Sequence, residues 1–156
     1  MSNNAETIRK FYECFGKRDA EGMVALYADD VSFSDPVFPA LKGDEAKAMW
    51  RMLCGRAADL TVEASAIEAD ETTGKAHWDA RYTFSATGRK VLNRIDARFV
   101  FRDGKIVEHK DSFDLWAWTR MALGLKGTLL GWSPIVQGAV RKQADKGLRS
   151  FMKKSG

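Results

Sequence analysis

The feature that most constrains this chain is a long stretch, residues 60–113, in which apolar and polar residues alternate. The alternation is clearest where Trp78 and Tyr82 are interleaved with Asp79 and Arg81. Successive side chains of a β-strand point to opposite faces of a sheet, so this pattern predicts three or four strands with one enclosed and one water-facing side. The fold must therefore contain a sheet that buries a single face.

Two turn sequences predict how these strands pair. Thr87–Lys90 has glycine at its second position, which is typical of a two-residue hairpin, and Phe101–Lys105 is typical of a three-residue hairpin closed by a glycine bulge. The resulting register would align oppositely charged residues across the water-facing side in two rows, Asp79–Arg98–Glu108 and Arg81–Asp96–Lys110. A slip of one residue would break both rows.

The enclosed face carries two residues that do not fit an apolar wall, His109 and Asp111. An ionised carboxylate among apolar side chains is costly unless it is paired or functional, so these residues indicate a site. The remaining residues of this face are expected to line a pocket: Trp78, Tyr82, Asn93, Ala97, Phe99, Phe101 and Phe113.

Helical patterns flank the alternating stretch on both sides. Residues 5–17 and the segments after the cap residues Asp19 and Asp44 have helical spacing, and residues 115–153 are helical again with breaks near glycines. The chain is therefore predicted to be an α+β protein, a cone-shaped, curved antiparallel sheet wrapped by N-terminal helices around an apolar pocket, with extra C-terminal helices. We expect one domain over 1–156, with a core over 5–114 and a helical extension over 115–154.

Composition argues against several kinds of partner. The formal net charge is +4, but acids and bases alternate through most of the chain, which argues against nucleic-acid binding. Cys14 and Cys54 have no CxxC partners, and His77 and His109 fall on different faces, so we expect free thiols in a reducing compartment and no metal. The first residues lack a signal-peptide pattern, and no apolar run approaches the roughly 20 residues of a membrane span. A cytoplasmic location is expected.

Three short motifs and the order of elements resemble a known superfamily. The order is helix, helix, strand, helix and curved sheet, and the motifs are Tyr27-Ala-Asp-Asp30, Asp35-Pro36 and Asp103-Gly-Lys-Ile106. Over about residues 5–114 the chain resembles the nuclear transport factor 2-like, or cystatin-like, cone fold, in its SnoaL-like polyketide cyclase and ketosteroid-isomerase-like branch. That resemblance implies a pocket for a small apolar molecule and chemistry without a cofactor, although the fold hosts several activities and pure binders.

Asp35, before Pro36 at the end of a strand, fits either a turn-forming aspartate or a pocket acid. The resemblance implies the acid, because Asp35 falls where ketosteroid isomerases have their general base. The groups that stabilise the oxyanion do not carry over: Phe11 stands at the position of the tyrosine and Ala97 at that of the protonated aspartate. Tyr12 is adjacent to Phe11 but points about 100° away on a helix. Phe11 and Tyr12 are expected in the pocket, and steroid isomerisation itself is not expected, because one oxyanion donor contributes about 3–4 kcal/mol.

Asp111 falls where SnoaL-like cyclases and limonene-epoxide hydrolases have an acid on the last strand. The hydrolases add an Arg-x-Asp triplet, whose nearest match here is His77-Trp-Asp79, without the arginine and with Asp79 on the outer face. The resemblance therefore favours a cyclase-like or isomerase-like site over a hydrolase site. If Asp35, His109 and Asp111 share one cavity, desolvation should raise the pKa of one carboxyl group while His109 holds the other ionised.

Three functions follow as hypotheses. The leading one is a cofactor-free enzyme for isomerisation, cyclisation or hydration of an apolar carbonyl compound, with Asp35 and Asp111 as proton carriers and His109 as electrophile or tuner. The second is a non-catalytic binder of an apolar molecule. The third is a membrane-docking module built on the basic C-terminal helix, which begins at Ser133-Pro134 and has an apolar stripe of Val136, Val140, Leu148 and Phe151. The family resemblance, the charge rows of the outer face and the apolar C-terminal stripe together also lead us to expect a homodimer, since a face with alternating charges can meet its own rotated copy.

Overall fold

A computed structural model describes residues 3–56 and 58–155 of the chain. The elements follow in this order: α1 (Asn4–Gly16), α2 (Ala20–Val24), β1 (Tyr27–Ser34), β2 (Leu41–Lys42), α3 (Asp44–Arg56), β3 (Thr61–Ala69), β4 (Thr73–Phe84), β5 (Arg89–Arg102), β6 (Lys105–Ser112), α4 (Leu115–Leu123), α5 (Leu125–Leu130) and α6 (Pro134–Ser155). The predicted α+β class is confirmed.

The strands form one curved, unclosed sheet of six strands in the order β2-β1-β6-β5-β4-β3. Neighbouring strands are antiparallel except β1 and β6, which run parallel. The parallel pair brings the end of β1, where Phe33 lies opposite His109, into the middle of the enclosed face. The sheet is thus mixed rather than wholly antiparallel, because the first strand pairs with the last one.

The predicted division of the sheet into two faces is confirmed. Trp78, Phe99 and His109 are buried on the enclosed face, whereas Arg98 and Lys110 are exposed on the other. Helix α1 contributes the fully buried Ile8 and Phe11, and α3 contributes Met49 and Trp50, to the core that covers the enclosed face. The strict alternation of burial along β5 shows why the faces could be read from the sequence.

The register predicted for the first hairpin is wrong. Phe84 pairs with Arg89, so the loop has four residues, and Asp79 lies opposite Arg94 instead of Arg98. Gly88 ends this loop at φ 73°, where its amide donates to the carbonyl of Phe84 at 2.8 Å. Thr87 fixes the loop from outside, since its hydroxyl donates to the carbonyl of Ala122 in α4 at 2.6 Å.

The second hairpin also differs from the prediction. Arg102 pairs with Lys105 around Asp103 and Gly104, whose φ angles of 53° and 78° make a two-residue turn, and the bulge lies further along β6. Arg98 therefore lies opposite Lys110 instead of Glu108.

Both errors shift the register by an even number of residues. Each side chain therefore stays on its predicted face, but the predicted charge rows are wrong. Lys75, Arg98 and Lys110 now lie side by side with like charge. Opposite charges meet instead at His77, whose ring nitrogens contact Asp96 at 3.0 Å and Asp79 at 2.8 Å. The hydrogen bond to Asp96 is the largest cause that raises the pKa of His77.

The C-terminal helices pack on the sheet and on α3. Leu148 of α6 is fully buried, and Arg149 pairs with Glu45 of α3. The predicted cap is present, since the hydroxyl of Ser133 accepts from the amide of Ile135 at 3.1 Å. None of the described helices is long and apolar enough to cross a bilayer.

Two glycines set the distance between α4 and α5. A Cβ atom at Gly127 would lie 1.9 Å from the carbonyl oxygen of Thr119, and one at Gly131 would lie 1.9 Å from its hydroxyl oxygen. Only glycine allows this approach.

We expect Gly127→Ala to lower the free energy of unfolding by about 1–3 kcal/mol, since the added methyl group forces α4 and α5 apart. Gly138→Ala is the matched control in α6, where an added Cβ meets nothing within 4 Å. That substitution should raise stability by up to about 1 kcal/mol. Chemical denaturation of both variants measures the two effects, and equal stability would contradict the packing.

The expected homodimer stays a prediction. The exposed face of the sheet combines the basic line of Lys75, Arg98 and Lys110 with the acids around His77, so two copies related by a two-fold axis can still match opposite charges. Sedimentation at tens of micromolar should give twice the mass of the chain. The mass of a single chain would contradict the dimer.

Candidate functional site

A chain of buried polar groups crosses the interior from α3 to β6. The indole nitrogen of Trp50 donates to the hydroxyl of Tyr27 at 2.7 Å, and this hydroxyl lies 2.7 Å from Nδ1 of His109. Nε2 of His109 lies 2.9 Å from Oδ1 of Asp111. All four residues are buried, with at most 3% of their surface exposed.

The hydrogen-bonding capacity of each group determines which atom donates in this series of hydrogen bonds. An indole N–H can only donate, so the oxygen of Tyr27 accepts there and its own hydrogen is left for Nδ1 of His109. Nε2 then carries the hydrogen of a neutral imidazole and donates it to the carboxylate of Asp111. The structure thus brings together the predicted residues His109 and Asp111 in a fixed orientation.

Aromatic rings enclose His109 on several sides. The ring centres of Phe99, Phe33 and Phe11 lie 4.4, 5.1 and 5.4 Å from that of the imidazole, and the indole of Trp50 stacks on it at 6.0 Å. These rings exclude water, and hydrogen bonds inside such a region are stronger than in water. The imidazole is therefore held both by its bonds and by its packing.

Asp111 faces two further predicted pocket residues. The indole nitrogen of Trp78 donates to Oδ1 at 3.5 Å, so both described hydrogen bonds of the carboxylate fall on this oxygen. Tyr12 is 4% exposed, and its hydroxyl is the one buried side-chain polar atom of the described residues that lacks a hydrogen-bond partner. Burial, and then the charge of Asp111, raise the pKa of Tyr12 well above its usual value, so the hydroxyl keeps its proton.

Asp35 lies in the turn directly after β1 and serves two purposes there. Its Oδ1 accepts from the amides of Val37 at 2.7 Å and Phe38 at 2.6 Å, as in a turn-forming aspartate. Burial nevertheless raises its pKa to about 6, and the charge of Asp111 adds to this shift. Asp35 is therefore both a turn residue and a carboxyl group that can hold a proton near neutral pH.

Helix α4 covers the Asp35 side of the interior. The indole nitrogen of Trp118 donates to the hydroxyl of Tyr82 at 2.7 Å, and burial is the main cause that raises the pKa of Tyr82, with a contribution from Asp35. Arg141 of α6 donates to the carbonyl of Pro36 at 2.8 Å and so holds the loop that carries Asp35.

The other predicted pocket residues lie on the enclosed face as well. Asn93, Ala97 and Phe101 are buried. Phe113 is half-buried and packs against both the main core and a smaller apolar cluster around Trp118 of α4. Two surface depressions lie outside this interior, one of about 590 Å³ beside Arg51 and one of about 380 Å³ that borders Tyr82. Among the described residues no group of His, Cys, Asp and Glu is arranged to hold a metal ion.

Sequence reasoning did not include Tyr27, Trp50 and Trp118 among the site residues. Tyr27 entered the sequence analysis only as part of a family motif, and no local pattern marks it as a neighbour of His109. Its contact with His109 spans 82 positions of the chain, so only the parallel pairing of β1 and β6 reveals it.

The curved sheet, its covering helices and the buried polar interior define the class of fold, and comparisons with known proteins identify the family. A profile of the SnoaL-like domain matches residues 8–109. The chain belongs to the SnoaL-like family of the nuclear transport factor 2-like superfamily. A comparison with curated proteins found no match.

Solved structures with the same fold have related descriptions. A nuclear transport factor 2-like protein of unknown function from Burkholderia pseudomallei is 26% identical, with a TM-score of 0.69, and the match covers 78% of this chain and 98% of that one. IdmH, a putative polyketide cyclase from Streptomyces antibioticus, is 23% identical, with a TM-score of 0.66 and coverage of 80% and 100%. An LEH-like epoxide hydrolase of M. tuberculosis is 19% identical, with a TM-score of 0.65 and coverage of 83% and 96%.

Two tyrosines allow a matched test of the polar chain. Tyr27→Phe leaves the indole nitrogen of Trp50 and Nδ1 of His109 buried without partners, and each such group costs about 1–3 kcal/mol. Tyr12→Phe removes a hydroxyl that has no partner and should leave the free energy of unfolding unchanged or raised. Chemical denaturation compares the two variants, and an equal loss would contradict the assigned chain of bonds.

Proposed function

We propose that this protein is a cofactor-independent enzyme that moves a proton on an apolar, carbonyl-bearing small molecule in an isomerisation, cyclisation or hydration. The observation that carries the proposal is the buried pair of His109 and Asp111, whose orientation is fixed through Tyr27 and Trp50. A carboxylate held by a neutral imidazole among aromatic rings combines a proton acceptor with an apolar binding surface. The cyclase and hydrolase names of similar folds support this class and no particular substrate.

In the proposed reaction Asp111 is the base. Its carboxylate takes a proton from the carbon next to the substrate carbonyl, so that a C–H bond breaks and an O–H bond forms on Asp111. The electron pair of the broken bond forms a C=C bond, and negative charge develops on the carbonyl oxygen. His109 donates a hydrogen bond to the same carboxylate and holds it in place, so His109 acts on the base and not as the electrophile.

Asp35 is the acid of the same step. Because its pKa is raised to about 6, a fraction of the molecules carries the proton on Asp35 near neutral pH. That proton goes to the carbonyl oxygen and completes an enol, and the unpartnered hydroxyl of Tyr12 is a second donor for this oxygen. In an isomerisation the substrate has a C=C bond beside the enol: Asp111 returns its proton to the far carbon of that bond, and Asp35 takes back the enol proton as the carbonyl re-forms. In a cyclisation the enol carbon attacks a second carbonyl of the substrate, so that a C–C bond forms, Asp111 protonates the new alkoxide and Asp35 takes back the enol proton. In a hydration Asp111 takes its proton from water instead, and the water oxygen adds to a C=C bond conjugated with the carbonyl while Asp35 protonates the carbonyl oxygen.

The second candidate is a non-catalytic binder of an apolar molecule. It is favoured by the apolar composition of the enclosed face, which would suit an apolar molecule without any reaction. The two candidates differ in whether the carboxyl groups exchange protons with a bound ketone.

Deuterium exchange of β-tetralone, an apolar bicyclic ketone, tests the proposal by proton NMR in deuterated water. We expect the protein to accelerate exchange at the carbons next to the carbonyl, and Asp111→Asn to lower this acceleration about a hundredfold or more. The affinity for the ketone should stay within about tenfold, because the asparagine keeps the shape of the side chain.

Asp96→Asn is the matched control, since Asp96 is on the same sheet but on its exposed face. This variant should exchange the ketone at the wild-type rate. Binding of the ketone without faster exchange would favour the non-catalytic binder. A loss of stability in Asp111→Asn with unchanged exchange would mean that the carboxylate is structural.

The pH dependence tests the role of Asp35. An acid with a pKa of about 6 is protonated below that pH and ionised above it, so the accelerated exchange should fall as pH rises through about 6. Asp35→Asn cannot donate this proton and should remove that decline while lowering the rate. An unchanged pH profile in the variant would show that Asp35 acts only as a turn residue.

A further inference from the structure

Exposed large apolar side chains are concentrated in one short part of the chain. Six of them stand out among the described residues, and all lie between positions 116 and 135: Trp116, Leu125, Leu129, Leu130, Trp132 and Ile135, exposed by 37, 74, 60, 47, 62 and 84%. We call this set the outer patch. Large exposed apolar patches on globular proteins mark interaction surfaces, because water contact is costly there.

The outer patch results from the way in which α5 packs. Gly127 and Gly131 lie against Thr119 so closely that no side chain fits between the helices. Helix α5 thus turns its small residues inward and its leucines outward, which is the reverse of the usual arrangement. The exposure of Leu125, Leu129 and Leu130 is therefore fixed by packing and does not result from loose helices.

The C-terminal helix does not cover the outer patch with its own apolar residues. Leu148, Phe151 and Met152 of α6 pack into the main core against the sheet and the helices there. Only its first turn, at Ile135, joins the exposed apolar surface. The sequence suggested α6 as the basic amphipathic helix for membrane contact, but most of its apolar stripe packs against the core. The exposed apolar surface lies mainly on α4 and α5.

Every charged residue in the segment that carries the outer patch is basic. Residues 115–144 contain four bases and no acid, and Asp114, which precedes them, caps α4 by accepting from the amide of Ala117. Arg120 stacks on Trp116 with its guanidinium 4.5 Å from the ring centre, and Lys126 is exposed between the patch leucines. Arg89 adds a guanidinium beside Gly124, where α5 begins.

We propose that the outer patch docks the protein on the surface of an anionic lipid bilayer. Leucine and isoleucine side chains would enter the boundary between headgroups and acyl chains, tryptophans suit the headgroup region, and the bases meet anionic lipid. A second copy of the chain is the less suitable occupant, because a two-fold contact at this patch would bring Lys126 and Arg120 of both copies together. A bilayer supplies the opposite charge that the patch lacks.

Flotation of the full chain with vesicles tests the proposal. One set of vesicles is phosphatidylcholine alone, and the other contains about one third phosphatidylglycerol. We expect the chain to float with the anionic set at about 0.1 M salt and much less with the neutral set or at about 1 M salt. The double variant Leu129→Gln/Ile135→Gln should bind at least about tenfold more weakly, since two inserted side chains are lost.

A pair of charge reversals tests whether binding depends on the charge of the outer patch or on the net charge of the protein. Lys126→Glu lies in the outer patch and Lys110→Glu on the exposed face of the sheet, and both change the net charge by the same amount. Lys126→Glu should weaken binding to anionic vesicles about fivefold or more, and Lys110→Glu much less. All variants change exposed side chains, and unchanged thermal unfolding shows that they are folded.

Three results would overturn the proposal. The first is a wild-type chain that stays with neither set of vesicles. The second is equal weakening by Lys126→Glu and Lys110→Glu, which would mean that overall charge and not the patch drives binding. The third is a wild-type oligomer that ignores vesicles and that Leu129→Gln/Ile135→Gln dissociates, which would assign the patch to a second copy of the chain.

Discussion

The hydrogen-bonded chain from Trp50 through Tyr27 and His109 to Asp111 is the constraint on which the rest of the interior depends. It joins β6 to β1 and α3, which lie much earlier in the sequence, and a wrong position of any of the three leaves a buried polar group without a partner. Each such group costs about 1–3 kcal/mol, a large share of the stability of a small domain. The chain of bonds therefore selects the parallel pairing of β1 with β6 as well as holding the site.

The two carboxyl groups of the interior are treated differently by their surroundings. Asp111 accepts a hydrogen bond from an imidazole, whereas Asp35 accepts two backbone amide bonds and still has a pKa raised to about 6 by burial. The amide bonds alone would lower the pKa of Asp35, so the desolvation by the loop and α4 is the larger effect. In the proposed reaction, this difference in surroundings is the reason for assigning the base to Asp111 and the acid to Asp35.

The faces of the sheet, the helices and the pairing of His109 with Asp111 could be predicted, because alternation and helical spacing are local properties of the sequence. The register could not be predicted, because it depends on loop lengths that are set by tertiary contacts. Thr87 of the first loop bonds to α4, and the bulge lies in β6 and not in the second turn, where the sequence predicts it. The sequence analysis did not identify Tyr27 and Trp50 for a similar reason. Their hydrogen bonds join residues that are 82 and 23 positions apart, so no local pattern indicates them. Asp35 shows that an aspartate can accept the amide bonds of a turn and still have a pKa raised by burial.

Helix α4 links the proposed docking surface to the proposed site. Trp116 on its outer side belongs to the outer patch, and Trp118 on its inner side donates to Tyr82 next to Asp35. A bilayer that holds Trp116 therefore acts on the same short helix that covers the Asp35 end of the interior. Apolar carbonyl compounds concentrate in bilayers, because burial of their surface is favourable there. If the helix that covers the site rests on a bilayer, such compounds could reach the site without passing through water. Helix α4 is therefore the structural element that the two proposals have in common.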